Sequence, residues 1–392
     1  MTQQKTIDLS RGTLQLTYQT VGDYQLDDLL DFAERINPKR AFLFVSKVLG
    51  RHIPVSPYKM RQAFGDLAAL IPDNLPQPIV VVGMAETAVG LSAGVHACLQ
   101  ARYPTAILLN STRHAQPAAL LTTFSEDHSH AQQHLIYQSD DPLLQQAVMS
   151  AKTLIMVDDE ASTGKTCQNV VNALYQAGMQ ALQQVHLATL VDWSLGNAPP
   201  NLFAQLDFFR HHLLSGHWQW TNRPHAKAIA MPDVATTAAG SQPLGNTGNW
   251  GRLPTTDSTS GLTGLLTSLE HQRKQHALED WAGKKVLVLG SNEFVWLPFL
   301  LAETLAQQGA AVKFSALTRS PIAPQAQSGV TSVIQFYDNY GLGMTNFAYN
   351  VIPTAWDWIV LCVETPSASV DAVWRDLPNL LVVAPRDVSP LI

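Results

Sequence analysis

The sequence predicts an α/β protein of two domains, each a parallel sheet flanked by helices, the second smaller than the first. Three observations carry this. Short, nearly continuous apolar runs recur, such as Ile79–Gly83, Thr153–Val157 and Lys285–Gly290, and strands buried on both faces read this way. Stretches of helical length separate them. A segment rich in Gly, Thr, Ser, Asn and Pro, residues 236–264, interrupts the alternation, as a linker does. A chain of 392 residues also suggests two or three domains at roughly 150 residues each.

Taken in order, the first strand is expected at 41–45. A strand at 79–83 leads through a turn into a helix over 88–102. Strands follow at 106–110 and 135–137, a helix at 142–151, and a strand at 153–157. A loop at 158–166 opens a helix to about 180, and 185–191 is a further strand. The first domain is expected to span 1–235. The segment 236–264 contains Trp250 and Arg252, so it is expected to be a linker or a docking segment. The second domain, 265–392, has strands at 285–290, 311–317 and 358–363 and a helix at 295–308. No internal repeat is apparent.

Composition narrows the partners. The net charge is −6, with 46% hydrophobic and 14% charged residues. That is too apolar for general disorder, and no basic run suggests nucleic acid. Cys98, Cys167 and Cys362 form neither a disulfide framework nor a zinc spacing, which fits a reducing compartment. The N-terminus lacks the apolar core of a signal peptide. The most apolar stretch, Pro78–Leu99, contains Glu86, a burden of about 2.5–3.5 kcal/mol inside a bilayer. A cytoplasmic protein without a membrane span is expected.

Residues 154–166 read Leu-Ile-Met-Val-Asp-Asp-Glu-Ala-Ser-Thr-Gly-Lys-Thr. An apolar strand ends in acids, and a short hydroxyl- and glycine-containing loop opens a helix. Loop amides at a helix N-terminus make an anion site. Ser162, Thr163 and Thr166 add hydroxyl donors, and Gly164 allows close backbone approach. Asp158 and Asp159 are placed to accept hydrogen bonds from sugar hydroxyls, at the strand end where open α/β sheets bind ligands. Gly164-Lys165-Thr166 also matches the end of a nucleotide-binding P-loop. Its first glycine would then fall at Asp159, whose carboxylate repels phosphate.

The stretch resembles the 5-phosphoribosyl 1-pyrophosphate (PRPP) signature of type I phosphoribosyltransferases, the orotate enzyme being the nearest in mechanism. The resemblance implies that fold for the first domain. It implies a PRPP-binding loop of Asp158, Asp159, Glu160, Ala161, Ser162, Thr163, Gly164, Lys165 and Thr166. It further implies a pyrophosphate turn at Met84, Ala85, Glu86 and Thr87 and a closing loop over 111–134. Glu86 beside an anion is unexpected and suggests action through Mg²⁺ or support of the turn. In the closing loop Arg113 is expected to pair with pyrophosphate oxygens, and His128 and His130 to donate protons or touch pyrophosphate. The catalytic set is thus Asp158, Asp159, Glu86, Arg113, His128 and His130, with Mg²⁺ held through Asp158 and Asp159. Glu126, His128, His130 and His134 offer a rival metal reading. Lys47, Arg51 and His52 form a basic group beside a strand end, for phosphate contacts or as an exposed face.

Thr318-Arg319-Ser320-Pro321 follows directly on a strand. With the transferase loop upstream, the whole chain resembles a family in which a phosphoribosyltransferase is fused to a TRSP domain and encoded in bacterial tellurium-resistance and stress gene clusters. The second domain is expected to be Rossmann-like, with a site at Asn292, Glu293, Thr318, Arg319 and Ser320, next to Ser291; Asp338, Tyr349 and Asn350 are lesser candidates. Its first turn lacks the G-x-G-x-x-G glycines, which disfavours a dinucleotide. The function expected is Mg²⁺-dependent transfer from PRPP to a small base-like acceptor, or the reverse, in making a nucleoside-like metabolite, with a homodimer as a possible assembly. A PRPP-sensing protein without turnover, and a TRSP domain that is itself the principal enzyme, are the alternatives.

Overall fold

A computed structural model describes residues 2–35, 40–125, 133–195, 202–226, 229–232 and 251–385. The strands are β1 (Gln3–Leu9), β2 (Gly12–Thr20), β3 (Leu30–Glu34), β4 (Phe42–Ser46), β5 (Ile79–Gly83), β6 (Ile107–Leu108), β7 (Leu120–Phe124) and β8 (His134–Tyr137). They continue with β9 (Thr153–Ala161), β10 (Gln184–Asp192), β11 (Asp207–Asn222), β12 (Lys285–Gly290), β13 (Ala311–Ala316), β14 (Val333–Tyr337), β15 (Thr345–Tyr349), β16 (Trp358–Cys362) and β17 (Leu380–Val383). The helices are α1 (Leu26–Leu29), α2 (Pro57–Ala69), α3 (Val89–Leu99), α4 (Pro142–Met149), α5 (Lys165–Gln176), α6 (Leu262–Gln275), α7 (Trp296–Gln307) and α8 (Ala372–Arg375).

The chain divides into two compact units. The first takes its residues from Met1–Leu29, Gln62–Lys227 and Gly251–Ser258, the second from Leu30–Arg61, Ala228–Trp250 and Thr259–Ile392. This does not follow the sequence order of 1–235, 236–264 and 265–392. The strand expected at 41–45 exists as β4, but it pairs with β3 within the second unit. Residues 251–258, inside the expected linker, pack on the first unit. There Leu108 and Thr255 form an antiparallel bridge, and Asn110 N donates to Gly251 O at 2.6 Å. Residues 233–250 lie outside the described residues, and Trp250 with them.

The first unit is built on one sheet of order β1-β2-β11-β10-β9-β5-β6. Its centre is parallel, and β5 is wholly buried, as its unbroken apolar run requires. β9 is longer than the expected strand at 153–157. Parallel pairing with β10 carries it on to Ala161, opposite Asp192. Its pairing with β5 ends at Gly83 and Val157, so Asp158 to Ala161 pair on one side only. β1, β2 and β11 were not anticipated. β11 begins parallel to β10 and continues antiparallel to β2.

On the β10–β11 ladder, His186 and His211 stack at 5.1 Å, with Nδ1 of the first 2.8 Å from Nε2 of the second. Burial lowers both from 6.5 to about 4. The folded chain therefore binds fewer protons here than the unfolded chain below pH about 6.5, and stability rises with pH in that range. The contribution is complete above about 6.5 and is lost as pH falls towards 4. Urea midpoints are expected to drop between pH 7.5 and pH 5, and to drop less in His211→Gln; an equal drop in both proteins would rule out this pair as the source.

The second unit has a parallel sheet of order β13-β12-β16-β17. Leu287, Leu289, Ile359, Leu361 and Trp374 centre its main core, and Ala33, Val45, Ile322, Phe347 and Tyr349 a smaller one. The residues from 30 to 61 are woven into this unit. Val55 bridges Phe314 on β13, and Glu34 bridges Ala323. Among the described residues no helix is long and apolar enough to cross a membrane.

Candidate active site

In the first unit β6 lies on one side of β5 and β9 on the other. Chain direction across the sheet thus reverses between β5 and β9, and ligands of open α/β sheets bind in the crevice at such a point. Two of the sequence-predicted segments flank it: the turn after β5 and the end of β9 with its loop.

The turn after β5 is supported by buried polar groups. Gly83 N donates to Asn110 Oδ1 at 3.1 Å, and Ser111 N donates to Gly83 O at 3.0 Å. Ala85 N donates to Ser111 Oγ at 3.0 Å, and that hydroxyl lies 3.1 Å from His134 Nδ1. His134 in turn stacks on Phe124 at 4.8 Å. Met84 N donates to Val157 O at 3.3 Å, tying the turn to β9. The Ala85–Glu86 peptide is cis. Met84, Ala85 and Glu86 are buried and Thr87 is half-buried. Gly83 permits this packing, because a Cβ there would collide with Ser92 Oγ and Asn110 Oδ1.

The closing loop expected at 111–134 divides into distinct parts. Ser111, Thr112 and His114 are buried, and Arg113, between them, is half-buried. β7 and β8 form an antiparallel hairpin, and His134 is fully buried within the support just described. Glu126, His128 and His130 lie outside the described residues. Among the described residues no group of three or more His, Cys, Asp or Glu gathers as a metal site.

Asn110 is the supporting residue that sequence left unnoticed; it reads as the last residue of a strand. Its Oδ1 also accepts from Ser92 Oγ at 2.6 Å, while that hydroxyl has a second acceptor in Val89 O at 3.0 Å. Asn110→Ala therefore orphans chiefly the Gly83 amide, at about 1–3 kcal/mol for a buried unsatisfied donor. Chemical denaturation of Asn110→Ala is expected to show that loss; a loss below about 0.5 kcal/mol would refute the hydrogen-bond account.

On the other flank, Asp158, Asp159 and Glu160 are half-buried in the margin of β9 that pairs with β10 alone, and Asp159 N donates to Asp158 Oδ1 at 2.9 Å. Ser162 and Thr163 are exposed, and Gly164 is buried in the left-handed region at φ 82°. A Cβ on Gly164 would stand 2.6 Å from Leu202 Cδ1 and 2.9 Å from Arg210 Nη2. As a glycine N-cap it supplies no side-chain acceptor to α5, so the positive end of the helix is left to other anions. Only residues 162–164 separate strand from helix, which is too short for a P-loop.

Arg210, on β11, holds this loop from the side. Its Nη2 donates to Thr163 O at 3.2 Å and its Nη1 to Asp192 Oδ2 at 2.8 Å. Asp192 Oδ1 also accepts from Ser194 N at 2.9 Å. Cys167 lies behind the loop; burial chiefly pushes its thiol up to about 12, with Arg210 acting against the rise and Asp158 adding to it. That thiol is an inert core group.

The remaining sequence candidates belong to the second unit. Arg51 and His52 are buried and Lys47 half-buried. Arg51 does not line an exposed basic face. Its Nη1 donates to Asn292 O and Leu317 O, each at 3.0 Å. Asn292, Glu293 and Thr318 are buried, Arg319 is half-buried and Ser320 is exposed. Asp338 is occupied in capping its own loop, accepting from the amides of Tyr340, Leu342 and Met344. The Tyr349 hydroxyl donates to Ser320 O and accepts from Ile322 N, while Asn350 bonds Thr331, Gly329 and His52. These last three hold the fold.

Residues 29–206 match the family profile described as phosphoribosyl transferase, and residues 247–377 the profile of the TRSP domain C-terminal to it. No curated protein matches the chain. Solved structures with some similarity include adenine phosphoribosyltransferase from Trypanosoma brucei in complex with AMP, pyrophosphate and ribose-5-phosphate. It is 12% identical, with 47% of this chain and 76% of that one covered and a TM-score of 0.32. The adenine enzyme of Rhodothermus marinus is 14% identical, with 47% and 94% covered and a TM-score of 0.31. Orotate phosphoribosyltransferase from Aeropyrum pernix is 16% identical, with 47% and 83% covered and a TM-score of 0.28. At these scores no residue of theirs is matched to one here. The two profiles span most of the chain in the order transferase then TRSP, so the chain joins a phosphoribosyl transferase domain to the TRSP domain C-terminal to it, as an enzyme of phosphoribosyl transfer.

Proposed function

We propose that the first unit transfers the phosphoribosyl group of PRPP to a nitrogen of a small base-like acceptor. The C1–O bond to pyrophosphate breaks, the C1–N bond forms, and the acceptor's proton leaves with pyrophosphate or to solvent. The observation that supports this most is the convergence of the 83–87 turn and the 158–166 loop on one crevice, where the sheet reverses direction between β5 and β9.

In this reading the amides and hydroxyls of Ser162, Thr163, Gly164, Lys165 and Thr166 hold the 5-phosphate at the start of α5. Asp158 and Asp159 accept from the ribose hydroxyls, with Glu160 and Ala161 completing the strand that presents them. Met84, Ala85, Glu86 and Thr87, with Arg113, hold the pyrophosphate. Stabilising the charge that develops on the leaving group is the main catalytic lever. His128 and His130 are proposed as proton donors or pyrophosphate contacts in the closing segment. Asp158 and Asp159 offer oxygen donors only, and one or two carboxylates plus substrate phosphates is the usual way a protein holds Mg²⁺. When bound, Mg²⁺ neutralises charge on the pyrophosphate oxygens.

The product is proposed to be a cytoplasmic, nucleoside-like metabolite of the tellurium-resistance and stress response. The test is release of pyrophosphate from PRPP by the full chain across a panel of purine, pyrimidine and nicotinate-like bases, with Mg²⁺. Acceptor-dependent release is expected. PRPP binding without release from any base would overturn the transfer reading in favour of a sensor.

A further inference from the structure

The sheet of the first unit does not end at β6. Residues 251–258 lie along that edge and belong to the first unit, although the TRSP profile includes them. Leu108 N donates to Thr255 O at 2.8 Å, and Thr255 N returns a bond to Leu108 O at 3.0 Å. Continuing that antiparallel pairing would bring Leu253 opposite Asn110. Asn110 N instead donates to Gly251 O at 2.6 Å, so the segment bulges there by two residues. The bulge is fixed in place. Arg252 within it is 2% exposed and has partners, as a guanidinium taken so completely from water requires. Gln100 Nε2, at the end of α3, donates to Thr256 O at 2.5 Å, and Asp257 N donates to Thr255 Oγ1 at 3.0 Å.

Gly251 makes the detour. Its φ is 86°, a left-handed conformation that suits glycine. A Cβ there would stand 2.8 Å from Asn110 Nδ2 and 2.9 Å from Leu108 Cδ2. Gly251 thus governs Asn110 twice: its carbonyl takes the backbone amide, and its bare Cα leaves room for the side-chain amide. That side chain presents Oδ1 to Gly83 N at 3.1 Å, while Ser111 next to it holds Ala85 N at 3.0 Å. A methyl group at 251 would push one end of a planar carboxamide whose other end holds the turn after β5. Asn110 is wholly buried, and a close-packed interior transmits such a push.

We propose that Gly251 is a positioning residue of the transferase: the first residues of the TRSP segment complete the transferase sheet and set the turn at 83–87 for pyrophosphate. That the turn meets pyrophosphate rests on the transfer reading above; that Gly251 positions the turn does not. The two flanks of the crevice then depend on different pieces of chain, the turn on 251–258 and the 158–166 loop on β11.

The test compares Gly251→Ala with Gly22→Ala in the full chain. Gly22 is also left-handed, at φ 61°, but nothing lies within 4 Å of where its Cβ would stand, so it carries the strain without the contact. In Gly251→Ala, hydrogen exchange of the amides at 83–88 is expected to quicken about tenfold, with no change at 153–161. Mg²⁺-pyrophosphate, titrated calorimetrically, is expected to bind about tenfold more weakly. Ribose 5-phosphate, the probe of the 158–166 loop, should keep its affinity within about twofold. Gly22→Ala should move none of the three. Exchange at 83–88 that is unchanged in Gly251→Ala, or quickened equally by Gly22→Ala, overturns the proposal. So does a pyrophosphate affinity that Gly251→Ala leaves intact, or an equal fall for both ligands, which marks a general loss of structure. If Gly251→Ala does not fold, Gln100→Ala decides: it removes one bond to the segment and should quicken the same amides by a smaller factor, and unchanged exchange there overturns the proposal. A wild type that binds no pyrophosphate defeats the transfer reading of the turn, and the exchange measurement still decides whether Gly251 positions it.

Discussion

Replacing Asp158 and Asp159 together by asparagine is expected to lower kcat/KM for PRPP by roughly 5- to 700-fold, at about 1.4 kcal/mol per tenfold. A hydrogen bond to a charged acceptor is worth about 1.5–3 kcal/mol and one to a neutral acceptor about 1. Each replacement therefore removes about 0.5–2 kcal/mol of ribose binding. Asparagine is the informative substitute because it keeps an oxygen for the bond from Asp159 N to the side chain at 158, at 2.9 Å in the wild type. The strand margin should then keep its shape. Both residues are only half-buried, so the thermal midpoint should hardly move. Pyrophosphate release and calorimetric binding of PRPP with Mg²⁺ measure the effect. A double variant within threefold of wild type would mean that these carboxylates do not meet the sugar.

What the sequence disclosed and what it withheld have separate physical origins. β5, the first half of β9, and β12 are buried in parallel sheets, and burial on both faces leaves unbroken apolar runs. The 158–166 loop was equally legible, since acids, hydroxyls and a glycine stand in one contiguous stretch between strand and helix. β1 was not, because its residues are mostly exposed and read Gln-Gln-Lys-Thr-Ile-Asp-Leu. β11 mixes Arg, His and Trp along its length and changes from a parallel to an antiparallel neighbour midway.

The exchange of segments between units is a matter of pairing far along the chain. Nothing local in 42–46 says that it pairs within the second unit, or in 251–258 that it pairs with β6. The same holds for the support of the turn after β5. Asn110 and Ser111 become meaningful only when β6 is laid beside β5 and their side chains meet the amides of Gly83 and Ala85. The acids at 158 and 159 announce themselves; the groups that position their surroundings do not.

Arg210 is the clearest such group, and its removal is expected to have the largest effect on stability. Its side chain is 15% exposed and that of its partner Asp192 is 4% exposed. Removing one member of a buried pair leaves the other charge uncompensated, at about 3–5 kcal/mol. Arg210→Met should lose that much, since methionine replaces the aliphatic stem but not the charge. Arg210→Met/Asp192→Asn should regain most of it, because asparagine can still accept the bond from Ser194 N, 2.9 Å long in the wild type, without a buried charge. Turnover should not recover with stability. Both variants lack the bond from Arg210 to Thr163 O, which steadies the loop proposed to hold the 5-phosphate, and misplacing a binding loop costs rate even when the fold is intact. Urea unfolding and pyrophosphate release, measured on the two variants together, separate these roles. If the double variant were as active as wild type, Arg210 would serve only to neutralise Asp192; if Arg210→Met lost under 1 kcal/mol, the pair would be solvated rather than buried. The expected pattern, stability restored and turnover still low, would place the control of the phosphate loop in β11, the strand whose sequence gives least sign of it.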